Sequence, residues 1–236
     1  MAALALPAWG QDGEAEVVPD PWEGFNRKIH TFNDVTDRWV LKPVATGYTK
    51  ITPDPVEQGV SNFFGNLLEV RNIFNDVLQW KWKQAGNDTG RLLINSTLGI
   101  GGIFDVARHM KLKKSEGEDF GQTLAAWGVG SGPYLVLPFL GPSSLRDTAG
   151  LPVDWVVDPI QEIDHVPTRN SVRAFSYINL RAELLDAEAF ISGDRYVFMR
   201  EAYLQRRNYL VHDGDVEDDF GGFGDDDYDE DDPFGP

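Results

Sequence analysis

Few side chains in this chain have the type and spacing that catalysis or metal binding requires. His30 and Asp34 lie one helical turn apart, but a zinc site needs a third ligand and no neighbour supplies one. Ser131 lies between glycines, yet its neighbours do not form the G-x-S-x-G turn of a hydrolase nucleophile. The acidic residues from Asp213 onward do not match the spacing of a calcium-binding EF-hand. The sequence therefore predicts no catalytic residue, no metal site and no cofactor.

Negative charge is concentrated at the C-terminus. The 236 residues have a formal net charge of −17, and residues 213–236 hold twelve of the 38 acidic residues and no Lys or Arg. The rest of the chain is nearly balanced, with 26 acidic and 21 basic residues. Without a basic face, binding to nucleic acid is disfavoured. Residues 213–236 cannot bury enough surface to fold, so this acidic tail is predicted to be disordered.

The first ten residues are uncharged and rich in Ala and Leu. Ala8 and Gly10 flank Trp9 in a small-x-small pattern, which is typical of a signal-peptide cleavage site, although the usual basic segment is missing. We interpret residues 1–10 as the remnant of a signal peptide and residues 11–19 as a linker. This interpretation places the mature chain outside the cytoplasm. An N-terminus without a targeting role is the alternative.

Residues 120–145 form a stretch of 26 residues without a formal charge. The stretch is long enough to cross a bilayer as a helix. However, prolines such as Pro133 and Pro138 interrupt it, and glycines such as Gly128 and Gly130 loosen the rest. Irregular backbone survives in a membrane only where protein covers it or where it lines a cavity. The stretch therefore indicates either a segment that handles apolar material or a buried core segment of a soluble protein.

Helical periodicity dominates the residues between the linker and the tail. Phe25, Ile29 and Phe32 follow one face of a first helix, which Pro43 is predicted to end. The other principal helices are predicted over residues 55–80, 168–191 and 194–210.

Capping and helix-terminating residues mark where these elements begin and end. Gly193 is predicted to stop one helix and Asp194 to cap the next. Residues 134–139 are the best candidate for a strand, and the helical pattern resumes at Ser143.

The helix predicted over residues 55–80 is apolar on more sides than a surface helix needs. Its apolar residues cover about 220° of the circumference, whereas about 100° is enough for a surface helix. The candidates for contact with lipid are Phe63, Phe64, Leu67 and Phe74. Arg71 is the only charge inside this arc. Either its stem snorkels to water, or it faces a hydrated cavity between helices, where it is predicted to pair with a lipid phosphate.

Two tryptophans and two lysines follow this helix directly. They are Trp80, Lys81, Trp82 and Lys83. Indole rings and ammonium groups favour the headgroup layer of a membrane, so these four residues are candidate anchors at headgroup level. An exposed helix end with aromatic packing is the alternative.

Several blocks between residues 20 and 210 resemble the MlaA/VacJ family. They include residues 20–27 (DPWEGFNR), 61–66, 95–105, 128–139, 146–147, 181–186 and 200–203, in the order that the family has them. The resemblance implies a helical ring in the inner, periplasmic leaflet of a bacterial outer membrane. It also implies that the protein passes misplaced phospholipid from the outer leaflet to a periplasmic lipid-carrier protein and associates with a trimeric porin.

One departure from the family concerns the membrane anchor. Members usually carry a lipobox cysteine, whereas this sequence contains no cysteine. Either this member is held by its helices and partners alone, or the present N-terminus replaces the usual one. The acidic tail is not a feature that we carry over from the family.

We therefore predict a mostly α-helical protein, a ring-like arrangement of amphipathic helices embedded in one membrane leaflet. Residues 20–212 would form a single lipid-passage domain. Exposing two acyl chains to water would cost on the order of 20 kcal/mol, so the passage must shelter them. Its candidate residues are Phe63, Phe64, Leu67, Arg71, Phe74, Gly128, Gly130, Pro133, Tyr134 and Pro138. No nucleotide-binding motif is present, which predicts a passive conduit. The alternatives are a porin-binding helical scaffold without a channel and, less favoured, a lipid-modifying enzyme.

Overall fold

The computed structural model describes residues 20–191 and 193–215. The signal-peptide remnant and linker predicted over residues 1–19 lie outside these residues, as does the acidic tail from residue 216 onward. Within the described ranges helices dominate, and none of them combines the length and the apolar character that crossing a membrane requires.

The first helical segment is longer than the sequence predicts. Helix α1 (Glu23–Thr36) continues through a five-residue π-helical turn (Asp37–Leu41) into α2 (Lys42–Ile51). The prediction that Pro43 ends this segment is therefore wrong. Pro43 lies in the first turn of α2, where its fixed φ angle suits a helix. The wider turn just before it accommodates the missing N–H.

The later helices agree with the sequence more closely. Helix α3 (Asp54–Leu78) confirms the helix predicted over residues 55–80. The helix predicted over 168–191 is shorter, because α8 (Val166–Glu183) gives way to a 3-10 turn (Asp186–Phe190). Asp194 caps α9 (Arg195–Val211) as predicted. The remaining helices are α4 (Trp82–Thr97), α5 (Val106–His109), α6 (Phe120–Ala126) and α7 (Leu145–Val157), with a 3-10 turn at Pro159–Glu162.

The uncharged stretch contains a β-hairpin. Strand β1 (Tyr134–Leu137) confirms the predicted strand and pairs antiparallel with β2 (Gly141–Ser144). The prediction that helix resumes at Ser143 is wrong by two residues. Ser144 completes β2 in extended conformation and then caps α7, since its hydroxyl accepts the N–H of Asp147 at 3.1 Å.

The helices and the hairpin form a closed circuit of contacts. Helix α1 leads through the π-helical turn into α2, α2 packs on α8, and α8 packs on α3. Helix α3 contacts α6, α6 contacts α9, and α9 contacts β2. Strand β2 pairs with β1, which returns to α1, while α4 packs along α3. This closed order confirms the predicted ring-like arrangement of amphipathic helices.

Polar and apolar side chains are distributed in the opposite way from a water-soluble domain. Among the described residues, 18 polar or charged residues are buried but only eight hydrophobic ones, and half of those are alanines. In the same ranges, 33 large hydrophobic side chains are exposed. A water-soluble domain rarely buries Asp, Glu or Arg completely. The fold therefore suits apolar surroundings, in which polar groups must find their partners inside the protein.

Candidate lipid-contacting surface and polar interior

Large apolar side chains cover the outside of several elements. The most exposed are Trp39, Ile51, Trp80, Phe139 and Val156, whose accessible fractions run from 71% for Phe139 to 83% for Ile51. They belong to the π-helical turn, α2, the α3–α4 connection, the hairpin turn and α7, so the apolar surface is distributed around the fold. Apolar surface of this extent marks contact with a membrane or a partner.

Helix α3 turns its polar strip toward the protein. The buried side chains of this strip are Asn66, Glu69, Asn72, Asn75 and Asp76. The predicted lipid-contacting residues Phe63, Phe64, Leu67 and Phe74 are half-buried. The Phe64 ring packs against Phe175 of α8, with centroids 5.9 Å apart. The wide apolar arc therefore serves helix packing at Phe64, and contact of these four residues with acyl chains stays a prediction.

A buried arginine joins three segments on one side of α3. Arg91 of α4 donates from Nε to Glu69 Oε1 at 2.9 Å and from Nη2 to both carboxylate oxygens of Asp105 at 3.2 Å. Its Nη1 donates to the carbonyl of Leu112 at 3.0 Å. A buried charge is tolerated when opposite charges and hydrogen bonds surround it in this way. The network therefore fixes α3, α4 and the chain after α5 to one another.

A second arginine joins α9 to the residues that flank the uncharged stretch on both sides. Arg207 donates to both oxygens of Asp119, at 2.5 and 2.7 Å, and to Asp147 Oδ1 at 2.8 Å. Burial alone would raise the pKa of Asp119, but the hydrogen bonds from Arg207 outweigh it and lower the pKa to about 2. Tyr203 also donates to Asp147. Sequence analysis missed this cluster because its members are as much as 88 residues apart.

Two carboxyl groups meet between α3 and α4. Asp76 and Asp88 are both fully buried. Burial, with the neighbouring carboxylates of Asp88 and Glu118 adding to it, raises the pKa of Asp76 to about 8, and burial also raises the pKa of Asp88. A proton on Asp76 lets it donate to Asp88. The pair is therefore neutralised in part by a proton at neutral pH.

Arg71 makes a contact that neither of its predicted alternatives describes. The side chain is half-buried, and its Nε donates to the backbone carbonyl of Glu118 at 3.0 Å. This bond ties α3 to the segment before α6. Pairing of Arg71 with a lipid phosphate stays a prediction.

The four candidate anchors after α3 divide into two kinds. Trp80, Trp82 and Lys83 are exposed, and the two indole rings meet edge to face with centroids 5.6 Å apart. Lys81 is half-buried, with Nζ 3.2 Å from Glu118 Oε1 and a second ion pair to Asp213. The charge of Lys81 therefore serves the buried Glu118 carboxylate, and a role of Lys81 as a headgroup-level anchor stays a prediction.

The predicted passage residues of the Gly/Pro segment also differ in position. Gly128 and Gly130 are exposed, as is Pro138, whereas Pro133 is half-buried. Gly128 has φ +85°, a conformation that favours glycine, but Gly130 does not adopt a positive φ. Tyr134 is fully buried with Val136 and Tyr196. Tyr134 therefore belongs to the small apolar core under the hairpin, and a role of Tyr134 in the passage stays a prediction.

Two asparagines of α1 hold the free edge of β1. Asn26 donates to the carbonyl of Tyr134 at 3.1 Å and accepts the N–H of Val136 at 3.0 Å. Asn33 donates to the carbonyl of Leu137 at 2.9 Å and accepts the N–H of Phe139 at 2.8 Å. We call these two pairs of hydrogen bonds the clasps of Asn26 and Asn33. Sequence analysis missed them. Their spacing of seven residues, two helical turns, is the pattern that could have indicated a shared partner.

A groove with a volume of about 460 Å³ runs along one face of α9. It is lined by Asp194, Val197, Phe198, Glu201, Ala202 and Gln205. Apolar side chains therefore lie beside charged and amide groups in one open groove, a combination that suits an amphipathic ligand.

A ring of amphipathic helices with a hydrogen-bonded polar interior and an apolar exterior defines a membrane-embedded class of helical protein. The sequence pattern of the MlaA lipoprotein family matches residues 18–210. Over 202 residues, the chain is 38% identical to the intermembrane phospholipid transport system lipoprotein MlaA of Escherichia coli (strain K12), covering 84% of this chain and 80% of that protein. It is 32% identical over 228 residues to the protein of the same name from Haemophilus influenzae, with 91% and 89% covered.

A solved structure agrees with this relationship. It was described under "Structural basis for maintenance of bacterial outer membrane lipid asymmetry" and superposes with a TM-score of 0.72 at 36% identity. The match covers 82% of this chain and 99% of the other. The chain belongs to the MlaA family.

Proposed function

We propose that this protein is a component of intermembrane phospholipid transport that lies in the bacterial outer membrane and maintains its lipid asymmetry. The observation that carries the proposal is the inverted distribution of side chains, with polar groups paired inside and large apolar groups outside. Membership of the MlaA family and the names of its relatives support the same function.

Within that function, the protein acts as a passive passage in the periplasmic leaflet. It takes misplaced phospholipid from the outer leaflet and releases it to a periplasmic lipid-carrier protein, with a trimeric porin as its neighbour in the membrane. The closed circuit of helices supports an enclosed route for acyl chains, and the open α9 groove places apolar side chains beside charged ones at the surface of that circuit. Direction and energy come from the partners.

The first experiment tests whether the apolar exterior contacts the membrane. Trp39→Asp places a charge where 80% of the side chain is accessible, so it should move protein out of the outer-membrane fraction, since a carboxylate in hydrocarbon is costly. Asn170→Asp adds the same charge at an exposed polar position of α8 and is the matched control. Fractionation of both variants to the same extent as the unmodified chain would contradict an embedded position.

The second experiment tests whether the protein carries lipid. Mass spectrometry of the purified chain should find phospholipid bound in a fixed ratio. A porin-binding scaffold without a channel predicts no bound lipid and full porin binding. Hydrolysed phospholipid would point to an enzyme.

A further inference from the structure

A short segment that begins in the last turn of α5 and continues toward α6 carries an unusual density of positive charge. We define residues 108–114 as the basic segment. Its cations are Arg108, Lys111, Lys113 and Lys114, and all four side chains are exposed. Among the described residues, no carboxylate forms an ion pair with any of them, whereas the arginines of the interior are paired. Within residues 20–191 and 193–215, the basic segment therefore presents four cations without a carboxylate partner on one short piece of chain.

Side chains of α4 hold the backbone of the basic segment in place. The carbonyl of Leu112 accepts from Arg91 at 3.0 Å, and the carbonyl of Lys113 accepts from Asn87 at 2.8 Å. The Leu112 side chain packs closely on Gly90, where an added Cβ would lie 3.2 Å from Cδ1. Lys111 adopts φ +62°, a conformation that costs a lysine more than a glycine. These contacts turn Leu112 inward and leave the lysines at the surface.

The C-terminal end of the described chain lies beside this segment. Arg206 of α9 donates to the carbonyl of Glu116 at 3.4 Å, two residues after the basic segment. Asp213 pairs with Lys81, whose Nζ is also 3.2 Å from Glu118. The chain thus leaves the fold next to residues 116–118. Five extended residues span about 17 Å, so the chain after residue 215 is long enough to reach the basic segment.

We propose that residues 216–236, the part of the acidic tail beyond the described chain, dock on the basic segment. The tail contributes ten carboxylates and no Lys or Arg, with acidic runs at residues 217–219 and 225–232. Opposite charges attract over about 8 Å at physiological salt, so the tail carboxylates need only approach the lysines to that distance. A tail bound there competes for the four cations with other anions, including the phosphate of a lipid headgroup.

Zero-length carbodiimide crosslinking of the full chain in detergent at low salt tests the docking. Peptide mass spectrometry should find the tail linked to Lys111, Lys113 or Lys114. The pair Lys81–Asp213 is the positive control. The yield on the basic segment should fall several-fold in 1 M salt, where the Debye length is about 3 Å. A yield that salt does not change overturns the proposal.

Lys28 and Lys50 are the matched controls, because they are also exposed and form no ion pair within the described residues. Several-fold fewer tail links are expected at these two lysines. Equal yields would mean that the tail samples every lysine alike, and this overturns the proposal. Links found only between isotopically labelled and unlabelled copies overturn it as well, since the occupant is then a second chain.

A charge-only variant separates docking from tail length. Replacing the ten tail carboxylates by their amides should speed trypsin cleavage after Lys111, Lys113 and Lys114 several-fold, without changing cleavage after Lys28. Unchanged cleavage contradicts docking.

Vesicles of phosphatidylglycerol should bind a chain that ends at residue 215 more tightly than the full chain. Equal binding would show that the tail does not cover the cations.

Discussion

Asp76 and Asp119 show two ways in which this interior accommodates a carboxyl group. Asp119 stays charged because Arg207 donates to both of its oxygens, and its pKa falls to about 2. Among the described residues, Asp76 has no arginine that donates to it in this way. Burial raises its pKa to about 8, the neighbouring Asp88 and Glu118 add to the rise, and Lys81 opposes it. Either an ion pair or a proton avoids an uncompensated buried charge, which would cost several kcal/mol.

The raised pKa of Asp76 predicts a pH dependence of stability. The folded state keeps a proton that the unfolded state releases near pH 3.8, so the free energy of unfolding falls as pH rises toward about 8. The unfolding equilibrium constant should change by up to about tenfold per pH unit. Denaturant unfolding in detergent between pH 6.5 and 8.5 measures it. Asp76→Asn should remove most of this fall.

Asp154→Asn is the control for that experiment. The pKa of Asp154 is raised only to about 6, mainly by burial, so its own proton is lost below the measured window. The Asp154→Asn chain should therefore keep the fall between pH 6.5 and 8.5. An Asp76→Asn chain with the same slope as the unmodified protein would show that Asp76 does not hold the proton.

Arg71 offers a second prediction at this scale. Arg71→Glu should let phospholipid accumulate in the outer leaflet, because a carboxylate repels the lipid phosphate that Arg71 is proposed to bind. Arg71→Gln removes the charge but keeps a donor for the carbonyl of Glu118. The amount of phospholipid accessible at the cell surface is the measurement. Normal asymmetry in the glutamine variant would reduce Arg71 to a structural link between α3 and residue 118.

At the scale of elements, the hairpin has backbone groups along its outer edge that need hydrogen-bond partners. An open strand edge leaves N–H and C=O groups without partners, and apolar surroundings offer no water to satisfy them. Asn26 and Asn33 supply these partners from α1, one at each end of β1. The hairpin therefore needs no third strand, because helix α1 covers the outer edge of β1.

Removing one clasp should loosen the hairpin turn. Asn33→Ala leaves the carbonyl of Leu137 and the N–H of Phe139 unpaired, at a cost of about 1–3 kcal/mol. Chymotrypsin cleavage after the exposed Phe139 should become faster, and the unfolding midpoint should fall. Asn170→Ala, at an exposed position of α8, is the control and should leave both unchanged. Equal cleavage in the two variants would mean that the clasp does not hold the turn.

At the scale of the whole molecule, the hairpin is one link in the closed circuit of elements. It connects α9 through β2 to α1 through β1. The rings of Phe32 on α1 and Phe139 in the hairpin turn meet edge to face, with centroids 5.1 Å apart. We infer that residues 128–142 take part in lipid passage. They form either a fixed wall of the passage or a loop that moves away from α1 to adjust the opening of the passage. A connection that only packs is the alternative.

A reversible lock distinguishes these roles. The sequence has no cysteine, so Phe32→Cys with Phe139→Cys provides a single disulfide. If the loop must move, the oxidised protein should stay folded but let phospholipid accumulate in the outer leaflet, and reductant should restore transport. Each single variant controls for the loss of its ring. Full transport in the oxidised protein would leave residues 128–142 without a moving role.

Local pattern was enough to place most helices and the family. Apolar spacing located α3, Asp194 marked the start of α9, and short blocks such as residues 20–27 and 61–66 led to the MlaA resemblance. These features depend on residues within one or two turns of each other, so they can be read directly from the chain. The prediction that Pro43 ends the first helical segment is wrong because the π-helical turn before Pro43 cannot be recognised from local spacing.

Only the tertiary structure decided which side of each helix faces inward. Periodicity separates the two faces of α3 but does not say which one meets the protein, and here the polar strip does. Tyr134 enters the core and Lys81 turns to Glu118 because of neighbours that are distant in sequence. The ion pairs of Arg207 and the clasps of Asn26 join residues 60 to 110 positions apart. Such contacts form only when the circuit closes, because the energy of a long-range pair depends on the position of both partners and not on the local pattern of either.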